Sequence, residues 1–155
     1  MILGDPYAFA VQFDVVESWN IQGDSWRNGV FVLYVDGQKV FDHLDVVELR
    51  TTIGFYSGLP LESLGCGEVE SDFTMLYREA ESYFTGEGES LSEGLCSLTC
   101  TAMEDRGCYV YFQRCAESDR FVWSVNGGVD ISEAIFPQGT LRSVLVQLSG
   151  VNISV

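Results

Sequence analysis

The dipeptide Asp36-Gly37 stands between an apolar run at residues 30–35 and a second at 38–41. Asp-Gly in that setting is the strongest short-range signal for a tight β-hairpin, so two antiparallel strands are placed before anything else is known. Upstream, Phe9, Val11, Phe13 and Val15 alternate with Ala10, Gln12 and Asp14, the period-two pattern of a half-buried strand, predicted over residues 7–16. A polar, turn-rich stretch at 17–28, holding Trp19 and Trp26, separates it from the hairpin.

Downstream the pattern is mixed. In residues 45–56 the types Val46, Val47, Leu49, Thr51, Thr52 and Ile53 suit a strand, while their spacing also permits a short helix; a strand is the expectation. Residues 60–94 turn to glycine, serine and acid but contain one clear helix. Asp72 is its N-cap, and Phe73, Leu76, Tyr77, Ala80 and Phe84 form a single apolar stripe. Beyond Gly94 an antiparallel meander is predicted at 95–103, 108–114 and 120–125, with connections of hairpin length, followed by a weaker extended piece at 129–136. Thr140 is placed as the cap of a last helix over 141–148, with Leu141, Val144, Leu145 and Leu148 on one face, and residues 150–155 are apolar enough to dock, with fraying as the alternative.

Long runs of strands without strict alternation give the class α+β, with a mainly antiparallel β-sheet of six or seven strands and two helices. A chain of 155 residues suits one domain over 1–155, carrying an acidic, glycine-rich elaboration at 60–94. At that size a core forms without disulfides or metal.

Charge narrows the function. Eight Lys and Arg against 23 Asp and Glu give a net −15, a field that repels nucleic acid and anionic lipid and attracts basic partners. Residues 1–10 lack a basic leader followed by a long apolar run, and charges or glycines interrupt every hydrophobic segment, so the expectation is a soluble cytoplasmic protein that binds neither nucleic acid nor membrane. The five cysteines, Cys66, Cys96, Cys100, Cys108 and Cys115, are odd in number, which argues for structural thiols over a disulfide framework. A zinc site would need Cys96, Cys100, Cys108 and Cys115 to converge, and their spacing is not that of a zinc knuckle.

Signals for catalysis are sparse. His43 is the sole histidine, flanked by Asp42 and Asp45, and reads as a solvated loop residue. There is no G-x-S-x-G elbow, glycine-rich phosphate cradle or calcium loop, and hence no expected cofactor. Glu68, Glu70 and Asp72 are the most crowded carboxylates and the best candidates for an acid–base pair, though carboxylates this dense ordinarily face water. Trp19, Trp26, Tyr109, Tyr111 and Trp123 offer a second class of function, a small-molecule or carbohydrate-binding face, against the plainer reading that they build the core.

The segments Met1-Ile2-Leu3-Gly4-Asp5-Pro6, Phe9 to Asp14, Trp19-Asn20, Trp26, Gly29-Val30-Phe31 and Tyr34-Val35-Asp36-Gly37 resemble the immunity protein 42 family of bacterial polymorphic toxin systems. Phe73 to Tyr77, Tyr109 to Phe112 and Glu133 to Gly139 continue the likeness over most of the chain. The cysteines and the acidic region 86–94 depart from the pattern, which leaves open which toxin is involved. The resemblance implies a cytoplasmic, non-enzymatic protein, encoded beside a toxin, that binds and blocks a cognate toxin domain. No catalytic residue, metal ligand or cofactor carries over, and Gly4, Trp19, Trp26 and Gly37 receive no binding role from it.

Given such a partner, residues 60–94 are the expected contact. Glu62, Glu68, Glu70, Asp72, Glu79, Glu81, Glu87, Glu89 and Glu93 stand there against Arg78 alone, giving net −8 of the chain's −15. A basic toxin surface fits that charge, and so does a merely solubilising loop.

Overall fold

The computed structural model describes residues 1–153, and their class is α+β, as expected. The described residues form two antiparallel sheets of five and four strands, and four helices, in place of one sheet and two helices. The docking expected of 150–155 involves residues 154 and 155, which lie outside the described residues. The chain groups into two compact units, Met1–Leu59 together with the chain from Arg142 onward, and Pro60–Leu141.

The first unit contains β1 (Ile2–Gly4), β2 (Phe9–Val15), β3 (Asn28–Val35), β4 (Gln38–Phe41) and β5 (Val47–Glu48). β3 is central: β2 pairs with it from Phe9 opposite Val35 to Val15 opposite Gly29, while β4 and β5 share its other edge. The period-two reading of β2 holds in part: Phe9, Val11 and Phe13 are buried and Asp14 is exposed, but Ala10 is buried as well. The hairpin also forms as read. Asp36 and Gly37 take φ of 52° and 75°, the left-handed pair that lets two strands turn without splaying. β1 was not anticipated; at its end Gly4 has φ +93°, and an added Cβ would fall 2.4 Å from the Phe9 carbonyl oxygen.

Residues 45–56 correct the expectation of a strand. Only Val47–Glu48 pairs, and Leu49–Ser57 is helix α1. The Glu48 carboxylate accepts the Thr51 amide at 2.6 Å, the Thr52 hydroxyl donates to the Glu48 carbonyl at 2.9 Å, and Leu49, Thr52 and Tyr56 turn inward. A capped stripe outweighs the β-branched composition. Tyr56 then stacks on Phe31 of β3, ring centroids 5.7 Å apart.

In the second unit β6 (Leu95–Ser97), β7 (Tyr109–Arg114), β8 (Ser118–Ser124) and β9 (Ser132–Pro137) form a meander in chain order. Helix α2 (Phe73–Phe84) begins as read, with Asp72 accepting the Met75 amide at 2.9 Å. Its Leu76, Tyr77 and Ala80 pack on Leu95, Tyr111 and Val122 of the sheet. The strand expected over 95–103 stops at Ser97 and gives way to a single helical turn, α3 (Thr101–Glu104). The Leu98 amide still donates to the Val110 carbonyl at 2.8 Å, but the Thr99 hydroxyl accepts the Val110 amide at 3.0 Å and so replaces the return backbone bond of that pair.

Helix α4 (Thr140–Ser149) closes the described chain, with Leu141, Val144, Leu145 and Leu148 buried as read. Its cap differs from the expectation. The Thr140 hydroxyl donates to the Pro137 carbonyl at 2.6 Å, and the buried carboxylate of Asp119 on β8 meets the Leu141 amide at 2.9 Å.

Candidate functional site

The acidic stretch is fastened to one end of the four-stranded sheet. The Gly67 amide donates to the Arg114 carbonyl at 2.8 Å, and the Arg114 amide donates to the Gly94 carbonyl at 2.9 Å. Backbone lies so close here that a Cβ on Gly67 would sit 2.5 Å from the Glu93 carbonyl oxygen, and one on Gly94 2.5 Å from the Arg114 carbonyl oxygen. Glycine at both positions is what allows the contact.

Two arginines of the sheet finish the attachment. Arg114 Nη1 donates to the carbonyls of Leu61 at 3.1 Å and Leu64 at 3.3 Å, fixing the turn that carries Glu62. Arg120, 1% exposed, gives Nε to Glu133 Oε2 at 2.6 Å and Nη1 to the Ser71 hydroxyl at 2.8 Å, to Gln113 Oε1 at 3.3 Å and to the Glu68 carbonyl at 3.4 Å. Its Nη2 donates to the Ser71 carbonyl. A buried guanidinium paired with one carboxylate and saturated by carbonyls is electrostatically settled, and its planar fork holds residues 68–71 in one shape. The exposed Glu68 and Glu70 are therefore presented on a fixed backbone, next to the exposed helix cap Asp72.

The other acids are distributed. Glu62 lies in a 3-10 turn and is exposed; Glu79 is half-buried and accepts the Ser92 hydroxyl at 2.6 Å; Glu81 pairs with Arg78 at 3.2 Å. Glu87, Glu89 and Glu93 are exposed in the segment between α2 and β6. Thus Glu68, Glu70 and Asp72 form one local group, and Glu79 and Glu81 are partly committed within the fold. Arg114, Ser71, Gln113 and Arg120 were missed from sequence. Their signal was two of only eight basic residues placed in otherwise apolar strands.

Glu68, Glu70 and Asp72 face water, without the buried surroundings that acid–base chemistry draws on. His43 is exposed and lies against Phe41, centroids 5.3 Å apart. The cysteines are thiols: Cys66 is exposed, the others are buried, and burial pushes Cys96 and Cys108 up to about 12. Among the described residues no group of three or more His, Cys, Asp or Glu is placed to hold a metal ion, and no helix is long and apolar enough to cross a membrane. Tyr111 packs against α2, whereas Trp123 is paired with Val110 and so points to the opposite side of the sheet; Trp19 and Trp26 belong to the other unit. Tyr111 and Trp123 therefore do not share one ligand face.

The chain matches the family model described as immunity protein 42 over residues 1–150. A solved structure, the crystal structure of CdiI from Burkholderia dolosa AUO158, is similar with a TM-score of 0.75 at 19% identity, over 96% of this chain and 98% of that one. At that identity the likeness establishes the fold. No curated protein matches the chain in sequence.

Proposed function

The chain belongs to the immunity protein 42 family, and from that premise we propose that it binds a cognate toxin domain by direct protein–protein contact and neutralises it without turnover. The contact is carried by the acidic surface of residues 60–94: Glu68, Glu70 and Asp72, together with Glu62, Glu79, Glu81, Glu87, Glu89 and Glu93. The observation that carries this choice is the buried Arg120, which holds the loop bearing Glu68 and Glu70 from beneath.

A preformed loop pays little ordering entropy on binding, so its carboxylates are ready to meet arginines and lysines. The toxin surface is accordingly basic, and the net −15 steers it in while disfavouring nucleic acid and anionic membranes. The setting is the cytoplasm of the producing cell. No metal or cofactor takes part.

Co-expression with the toxin domain encoded beside this chain tests the reading. A stoichiometric complex that lacks toxin activity is the expected result. A toxin left active beside this chain, or a bound metabolite with no protein partner, would overturn it.

A further inference from the structure

Between β2 and β3 the chain makes a closed loop, residues 16–28, whose ends are tied by the Val16 amide on the Asn28 carbonyl at 3.2 Å. Its interior is cross-linked by its own polar side chains. Asn20 donates to the carbonyls of Val16 at 2.8 Å and Asn28 at 2.9 Å and accepts the Asn28 amide at 2.7 Å, while Asn28 donates to the Trp19 carbonyl at 3.0 Å. Asp24 accepts the Trp26 amide at 3.2 Å, and the buried Arg27 donates Nη1 to the carbonyls of Asp24 and Trp26, each at 2.7 Å. Ends close together, with an internally bonded body between them, define a compact Ω-type loop.

What this framework holds outward is apolar. Ile21 is 75% exposed, Trp26 57% and Trp19 36%. A loop needing only to connect two strands has no use for two tryptophans and an isoleucine fixed in water, and such residues on rigid backbone are the usual anchors of a protein interface.

We infer that this loop is a second, apolar contact with the toxin domain, entering a pocket lined by aliphatic side chains and rimmed by Lys or Arg. The occupant follows from charge. The exposed Glu17 shares a 3-10 turn with Trp19 in a chain of net −15, and indole faces attract cations, so a basic partner is matched by charge. The inference rests on the immunity reading and adds a surface to it. The acids set the rate of encounter, and the loop sets the residence time.

Kinetics on the immobilised toxin domain separate the two. Trp19→Ala/Trp26→Ala is expected to dissociate at least about thirtyfold faster than wild type, by a factor less sensitive to salt than the association deficit of the acid-to-amide variant, with an unaltered thermal midpoint. Should that double variant unfold, Ile21→Ser decides: faster dissociation supports the contact and an unchanged rate refutes it. Dissociation within twofold of wild type, with the Glu68→Gln/Glu70→Gln/Asp72→Asn variant impaired, leaves the immunity reading standing and removes the loop from it. A wild type that does not bind the toxin domain ends both, and a wild-type dimer that the double variant dissolves makes the loop a self-contact and overturns the inference.

Discussion

Arg120 reaches Ser71 across 49 positions of sequence, donating to its hydroxyl at 2.8 Å and also to its carbonyl. The bond joins a strand of the sheet to the loop that carries Glu68 and Glu70, so strand stability and loop shape are coupled. Arg120→Met leaves the Glu133 carboxylate, largely withdrawn from water, without its partner and is expected to cost about 3 kcal/mol. Arg120→Lys keeps a charge for Glu133 but loses the fork, at about 1–2 kcal/mol. Urea unfolding measures both. Hydrogen exchange should accelerate first at residues 67–71, and unchanged protection there would show the loop to be independent of the arginine.

Two capping carboxylates respond to pH with opposite sign. Burial pushes Glu48 up, but the Thr51 hydroxyl and the amides of Arg27 and Thr51 outweigh it and hold it below its ordinary 4.5. Its stabilisation is present above 4.5 and is lost as pH falls through the lower folded value. Burial raises Asp119 above its ordinary 3.8 against the amides that favour its charge. Its native state therefore holds the proton more tightly, and stability falls as pH rises from 3.8 through the higher folded value. Glu48→Gln should thus cost most near neutrality and least in acid. Asp119→Asn should gain on wild type as pH rises. Denaturant midpoints of both variants across the acid range check the two slopes, and parallel curves would contradict this account.

Thiol reactivity should divide one from four. Cys66 is exposed, whereas Cys96, Cys100, Cys108 and Cys115 are buried. Thiols at about 12, as for Cys96 and Cys108, have almost no thiolate at neutral pH. Alkylation of the native protein followed by mass spectrometry should label Cys66 rapidly and the rest only on unfolding, to a total of five. A total of three or one would mean disulfides.

Toxin association should depend on salt in a specific way. Glu68→Gln/Glu70→Gln/Asp72→Asn is expected to bind more slowly at low ionic strength, with the deficit closing towards 1 M, where the Debye length is about 3 Å. Equal association at every salt concentration would make this surface a solubilising one.

How much of this was written locally can be traced residue by residue. The Asp36-Gly37 turn and the Asp72 cap of α2 are decided by their own few residues, and both were readable. Helix α1 was not, because Val46, Val47, Thr51 and Thr52 carry strand preference while the Glu48 cap and the inward Leu49 and Tyr56 act only once β3 is present to pack on. Thr99 ended a strand through a hydroxyl whose partner, Val110, is eleven residues away. The acids at 60–94 stood out by composition, but the arginines that shape them lie some fifty residues further on, and no local pattern announces such a distance.

The placement of α4 also bears on the order in which a ribosome makes this protein. One unit, Pro60–Leu141, is a single uninterrupted piece of chain, whereas the other opens at Met1 and is completed only by residues from Arg142 onward. At roughly 5–20 residues per second, the later unit can be fully synthesised while the earlier one still lacks Val144, Leu145 and Leu148. The half begun first is finished last, and a nascent chain stalled at Leu141 would hold one complete unit and one open one.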